Sequence, residues 1–340
     1  QILKSSHQEE EEKGKESAIF DPAQCLEDIH RMLCYDVFDL CACNLREREA
    51  NPEFAIEDDA CRNLIDSIAK DSTVFFTRAK IDKTRAGQIA KIWGCPGIKK
   101  TFEYRRKQHV MDNTPYFLDR IEELYVNGQN NQVGAIDAKE MRYVPHWEDY
   151  LRIRDQTTGV LTYDIPTRIQ NRTWTVRLTD VGGQRSERKK WIKVFNGVNV
   201  VIYVMSLSGY DQVIYESVDV RCYDESFGVF QQIVNNSSFE TTDFVLFLNK
   251  VDLLEEKLKT IPFTCFDPSF NETNDKEKVI KYVQDRFESI WFSESPEQWR
   301  DKRSLFFHNT CCLDTAMMQS IIAKVHVASI KRAMRDVGMI

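Results

Sequence analysis

Basic residues do not outnumber acidic ones in this 340-residue sequence: 46 Lys and Arg stand against 53 Asp and Glu, for a net charge of −7. A nucleic-acid partner therefore has no electrostatic support. No apolar run reaches membrane-spanning length, and no secretory signal is recognisable. Histidine is scarce, at 6 residues, and scattered; neither Cys41-x-Cys43 nor Cys311-Cys312 has metal-ligand spacing. The 10 cysteines are expected to be reduced, mostly buried thiols of a cytosolic protein. What remains is a globular composition, 42% hydrophobic, long enough for two domains of ordinary size.

The hydrophobic period changes once along the chain. From about Phe20 to Trp147 it is helical. Asp21-Pro22 offers a cap and a helix-first proline, followed by Leu26, Ile29, Leu33, Val37 and Leu40 at helical spacing. Thr114-Pro115 repeats that logic before Phe117, Leu118, Ile121 and Leu124. No convincing period-2 strand interrupts this part. After Asp149, strands are expected near Leu161–Ile169 and Trp174–Asp180, joined by a polar turn at Asn171-Arg172. Val198 to Met205 reads as a strand buried on both faces, and Phe244 to Leu248 as another that delivers Asn249 at its C-terminal end. Tyr215 to Val234 and Lys276 to Phe292 read as helices, residues 254–275 as irregular, and Leu305 to His308 as a short strand before Thr310. Met318, Ile321, Ile322 and Val325 give the last helix one apolar stripe. Strands alternating with helices predict a mostly parallel sheet with its ligand at the strand C-termini.

One stretch organises the rest: Trp174 to Trp191. The strand ends at Asp180, Gly182-Gly183 follow, and Gln184 opens a charged run. A carboxylate at a strand end followed by glycines that let backbone N–H groups approach an anion is the layout of a phosphate and Mg²⁺ site. Taken alone, an ordinary strand–turn–helix is the competing reading. The stretch does not stand alone. Asp180-Val181-Gly182-Gly183-Gln184 through Trp191 resembles the second switch segment of heterotrimeric G-protein α subunits. Leu151-Arg152-Ile153-Arg154-Asp155-Gln156-Thr157-Thr158-Gly159 resembles their first. Asn249-Lys250-Val251-Asp252 and Thr310-Cys311-Cys312-Leu313-Asp314-Thr315 resemble their two guanine-reading motifs. The likeness runs from end to end, tighter after residue 147.

The resemblance implies an α/β fold: a Ras-like GTPase domain with a mostly parallel sheet, over residues 148–340, and an inserted all-α domain over 16–147. Residues 1–15 are expected to be the remnant of the first GTPase-domain helix and a charged linker. The phosphate-binding loop, Gly-x-x-x-x-Gly-Lys-Ser, does not occur, and Gly14-Lys15 has no glycine at the needed spacing. A truncated gene model or a fragment is the expected cause, and weak GTP binding by the sequence as it stands the expected result.

The resemblance also assigns roles, as expectations. Arg154 is the in-chain arginine finger, with Arg152 as competitor; the spacing to Thr157 favours Arg154, and only guanidinium bridges phosphate oxygens in bidentate fashion. Leu151 and Arg152 lie along the nucleotide. Thr157 and Asp180 hold Mg²⁺, Gly183 offers its N–H to the γ-phosphate, and Gln184 orients the attacking water. Asn249, Lys250 and Asp252 select guanine, Asp252 by accepting from N1–H and the exocyclic amine; the Cys312 N–H bonds the guanine oxygen. Asp112 and Asn113 reach toward the nucleotide from the helical domain. The basic run Arg185, Arg188, Lys189, Lys190 and Lys193 would meet effectors and the βγ dimer, or is a solvated helix face. Asp336 to Ile340 resembles the receptor-reading tail, with Val337 where some members carry a toxin-modified cysteine. Asp155-Gln156 departs from the family pattern. GTP and GDP with Mg²⁺ are the implied ligands. The implied partners are the βγ dimer, a G-protein-coupled receptor, effectors and regulators of GTP hydrolysis, with no nucleic acid. The implied location is the cytoplasmic face of the plasma membrane. The alternative function is a scaffold without catalysis.

Overall fold

The computed structural model describes residues 21–70, 81–104, 110–125, 136–137, 142–153, 157–169 and 172–336. The expected first-helix remnant, the linker at Glu9 to Lys15, Arg154 to Gln156, Asn171 and the tail from Val337 lie outside them. The described residues form two compact units, one up to residue 153 and one from residue 157; the helix at 147–152 goes with the first, whereas the sequence reading divides the chain at 147/148.

The first unit is built on α1 (Pro22–Glu47), which starts where the sequence says it should: the Asp21 side chain accepts from the Ala23 N–H at 2.9 Å. Its stripe of Ile29, Leu33, Val37 and Leu40 is buried against α2 (Asp59–Lys70), α3 (Lys83–Gly94) and α4 (Pro96–Glu103). Then come α5 (Thr114–Leu118) and α6 (Ile121–Tyr125), one apolar stripe split by a turn. A two-residue antiparallel ladder, β1 (Ile136–Asp137) with β2 (Arg142–Tyr143), is the strand pairing that the helical period hides. The unit closes on α7 (Trp147–Arg152). Asp149 at its start is fully buried and accepts from Tyr116 (2.9 Å), Tyr143 (2.5 Å), Arg120 (2.9 Å) and the His146 N–H (2.8 Å). Burial pushes this carboxyl up, and the four donors outweigh burial and hold it below the ordinary carboxylate range.

The second unit opens with a hairpin, β3 (Val160–Ile169) and β4 (Arg172–Val181). Tyr163 faces Leu178, Ile165 faces Val176 and Thr167 faces Trp174, so one face of the ladder is the more apolar. A three-stranded parallel sheet follows: β5 (Val200–Ser206), β8 (Asp243–Asn249) and β9 (Leu305–Thr310), in the order β5-β8-β9. Every residue of β8 is buried. Phe244, Leu246 and Leu248 pack on α8 (Cys222–Val234) and α10 (Lys276–Glu294); Val245 and Phe247 pack on the last helix, α12 (Thr315–Asp336), through Met318, Ile321, Ile322 and Val325. This is helix, sheet, helix layering.

Three expectations are corrected here. Val200 to Ser206 is not buried on both faces: among the described residues it pairs only with β8, and Val204 is 49% exposed. Tyr215 to Val234 is not one helix: β6 (Val213–Ile214) and β7 (Ser217–Arg221) pair antiparallel before α8 begins. Tyr215 and Val218, three apart as on a helix face, are both exposed. Nor are residues 254–275 wholly irregular, because α9 (Val251–Leu258) buries Leu254 and Leu258 at i and i+4. The remaining short helix is α11 (Glu297–Arg300). No helix among the described residues is long and apolar enough to cross a membrane.

Candidate functional site: the strand ends of the parallel unit

The three parallel strands end level, with Ser206 beside Asn249 and Asn249 beside Thr310. Asn249 is therefore held at the C-terminal edge of the sheet, where an open α/β sheet receives its ligand. Its buried Oδ1 accepts from Thr310 Oγ1 (3.2 Å) and from the Cys312 N–H (3.0 Å), which locks the 310–312 loop against the Asn249 turn. The same Cys312 N–H is the one that the sequence reading gives to guanine. Lys250 turns the chain in the left-handed region, at φ 64°, and α9 starts immediately after it. Asp252 is exposed in the first turn of that helix. Burial pushes the Cys311 thiol up, and the Asp252 carboxylate beside it adds to the rise. Burial likewise pushes Cys312 up to about 11, so both thiols are protonated at neutral pH.

A second cluster forms at the end of β4. Thr157 Oγ1 donates to Asp180 Oδ2 at 3.1 Å, joining two segments that the sequence reading assigns to one metal. Both are oxygen donors of the kind Mg²⁺ takes. Among the described residues no group of three or more His, Cys, Asp or Glu could hold a metal by itself. Gly182 bonds back to the Gly159 carbonyl (3.2 Å) and accepts from the Trp191 indole (2.8 Å). A Cβ on Gly182 would stand 2.5 Å from the Thr157 carbonyl, whereas one on Gly183 would meet nothing within 4 Å. Gly183 thus keeps an open face on the exposed side of the turn. Gln184, half-buried, accepts the Glu187 N–H through its carbonyl at 2.9 Å.

Three residues to which the sequence reading gives no role shape the two clusters. The Glu187 carboxylate accepts from the Gly159 N–H (2.6 Å) and pairs with Lys190 (2.6 Å), tying the Thr157 segment to the turn after Gly183. Lys190 and then the Gly159 N–H hold its pKa below the ordinary value. Glu225 on α8 takes Arg185 (2.5 Å) and Arg188 (2.7 Å). Arg185 first, with Arg188, lowers it to about 2. Three cations of the basic run, Arg185, Arg188 and Lys190, are thus engaged within the unit, and Arg188 also donates to the Gly183 carbonyl at 3.2 Å. The third is Thr310, the hydroxyl partner of Asn249. Glu187 was hidden in a charged run, and Glu225 carries no local sequence signal 40 residues from Arg185.

Leu151 and Arg152 belong to the helical unit. Leu151 is buried. The Arg152 guanidinium stacks 4.2 Å over the Tyr116 ring and bonds the Glu148 carbonyl at 3.0 Å. The Arg152 carbonyl accepts from Asn113 Nδ2 at 2.5 Å. The loop with Asp112 and Asn113 therefore holds the chain just before residue 154. Arg154 itself lies outside the described residues.

The fold and the clustered motifs together define a mixed helix-and-sheet protein with a ligand edge at the C-termini of parallel strands, accompanied by a predominantly helical unit that also holds the short β1–β2 ladder. The family model for the G-protein alpha subunit matches residues 2–329. The chain belongs to that family, with its Ras-like domain and helical domain, and is a guanine nucleotide-binding α subunit of G-protein signalling. Members of the family are GTPases that bind GTP and GDP, typically with Mg²⁺, and interact generally with βγ dimers, receptors and effectors.

Proposed function

We propose that this chain is itself a GTP-hydrolysing switch, on with GTP and off with GDP, acting with a βγ dimer and a G-protein-coupled receptor at the cytoplasmic face of the plasma membrane. The hydrogen bond from Thr157 to Asp180 carries the reading. It joins the Thr157 hydroxyl to a strand-end carboxylate where a metal-held triphosphate would need two hard oxygen donors.

Bound Mg²⁺ would neutralise phosphate charge, with Thr157 and Asp180 as its protein ligands. Gly183, with nothing where a Cβ would stand, can bring its N–H close to a γ-phosphate oxygen. Gln184 would orient the water through its side-chain amide. Arg154 would place positive charge on the phosphate oxygens as they gain negative charge. Because Glu225 engages Arg185 and Arg188, these two cations steady the turn rather than compete for phosphate. On the other edge, Asp252 accepts from two guanine donors; adenine lacks that pair and leaves a carboxylate unpaired, a discrimination on the order of 10⁴-fold. Asn249 braces the loop and Lys250 lies along the base. Effectors, regulators of hydrolysis and βγ would read the turn from Gly183 to Lys193, because the γ-phosphate contact fixes its position.

Two measurements test the proposal. In calorimetry, the chain should bind a non-hydrolysable GTP analogue with Mg²⁺ and discriminate against its ATP counterpart, and Asp252→Ala should erase the discrimination. In single-turnover assays, Gln184→Leu should slow hydrolysis by about 10²-fold or more. A folded chain without nucleotide binding would favour the second reading, a scaffold that engages partners without catalysis.

A further inference from the structure

We infer that Cys61 and Cys95 of the helical unit form a reversible disulfide, a redox modification site apart from the nucleotide edge. Their sulfurs stand 2.7 Å apart, and both cysteines are free thiols here. A disulfide bond is about 2.05 Å long, so oxidation asks for less than about 1 Å of approach. Cys61 lies in the first turn of α2, where the Asp58 side chain caps the Ala60 (2.8 Å) and Cys61 (3.0 Å) N–H groups. Cys95 is the C-cap of α3, immediately before Pro96 opens α4. Lys91 of α3 joins the two sides: its ammonium pairs with Asp58 at 2.8 Å, and its carbonyl faces Cys95 Sγ at 3.3 Å and Cys61 Sγ at 3.9 Å.

The two thiols differ in access, which sets the order of events. Cys95 is partly exposed and Cys61 is buried. Burial pushes the Cys61 thiol up to about 12, with Lys91 opposing, so Cys61 is the poorer first nucleophile. The oxidant is a low-molecular-weight disulfide such as oxidised glutathione. The Cys95 thiolate attacks one of its sulfurs, forming a mixed disulfide and expelling one thiolate, which takes up the proton that Cys95 gave to solvent. Cys61 then loses its proton and attacks the Cys95 sulfur, forming the protein disulfide and expelling the second small thiol. Two protein thiols are oxidised and one small disulfide is reduced to two thiols. Cys41 of α1 is a third buried thiol within electrostatic reach of both. It lacks the close sulfur contact and is not part of the pair.

The experiment incubates the full chain with excess oxidised glutathione, alkylates remaining thiols, and maps the digest by mass spectrometry without reduction. The expected product is one cross-link between the peptides of Cys61 and Cys95, reversed by dithiothreitol. It is absent in Cys95→Ser and retained in Cys41→Ala. Closing a loop of 34 residues should also raise the thermal midpoint of the helical unit by about 10 °C. A Cys61–Cys41 link, a Cys95 that stops at the glutathione adduct, or thiols still alkylated at both positions while exposed Cys265 has reacted would each overturn the inference.

Discussion

The two adjacent glycines after Asp180 should respond oppositely to the same substitution. In Gly182→Ala the new Cβ lands 2.5 Å from the Thr157 carbonyl and 2.8 and 2.9 Å from Glu187 Cγ and Cβ. Real Cβ contacts essentially never fall under 3.0 Å, so the Thr157 segment must retreat by roughly half an ångström from a backbone atom that cannot rotate away. That motion pulls on the Gly182-to-Gly159 bond (3.2 Å), the Gly159-to-Glu187 bond (2.6 Å) and the Thr157-to-Asp180 bond (3.1 Å) together. The expected loss is about 1–3 kcal/mol of unfolding free energy, the usual cost of overpacking. Gly183→Ala meets nothing within 4 Å, so it should leave stability unchanged or raise it by up to about 1 kcal/mol through the unfolded chain. Urea unfolding followed by tryptophan fluorescence reads both, since Trp191 donates to the Gly182 carbonyl at 2.8 Å and reports on this turn. Equal midpoints for Gly182→Ala and the parent, or a loss in Gly183→Ala as large as in Gly182→Ala, would refute the packing argument. If the proposed function holds, Gly183→Ala should nonetheless weaken binding of a GTP analogue more than of GDP.

Glu225 predicts an acid-side dependence. Its folded pKa, held near 2 by Arg185 and then Arg188, lies below the ordinary 4.5, so the unfolded chain binds the extra proton between those values. The ion pairs should contribute about 1–2 kcal/mol above pH 4.5, after allowance for the solvent around Arg185, and that contribution should disappear as pH falls toward 2. Urea midpoints across that range should slope in the parent and flatten in Glu225→Gln; identical slopes would rule the network out as a stabilising element. Lys257 and Asp211 form a buried pair at 2.6 Å, with side chains 6% and 2% exposed, and Lys257 also donates to the Ser208 carbonyl at 2.6 Å. Asp211→Ala should cost about 3–5 kcal/mol by stranding the ammonium, and the double change with Lys257→Met should recover most of it. Additive losses in denaturant unfolding would show that the two charges do not depend on each other.

Much of this was legible because single residues announce their backbone roles. Asp21-Pro22 marked the start of α1 to the residue, and the solid apolar run from Phe244 to Leu248 marked a strand covered on both faces. The strand before Asn249 and the one before Asp180 were placed by the same means. The misreadings have physical causes. A run such as Val200 to Met205 states only that a strand wants burial, not how many neighbours pair with it. Between Tyr215 and Arg221 the apolar residues are few enough to fit either period, and the hairpin prevails through ladder bonds invisible in composition. The sequence proposes the candidate site as a residue set and says nothing of the network that links it. Carboxylates such as Glu187 and Glu225 look like any surface acid until the fold brings them to Gly159, Arg185 and Arg188. Arg152, read from the sequence as lying along the nucleotide, gives no local hint of the stacking on Tyr116 that the fold adds.

Lys250 holds a φ of 64°, a region in which glycine or asparagine is far easier to accommodate, at a cost of about 1–2 kcal/mol for a residue with a long side chain. The bend alone asks for no side chain, and glycine would make it at less cost. Lysine there sets a four-carbon stem and a cation just past the end of β8, so what the position adds to the turn is reach.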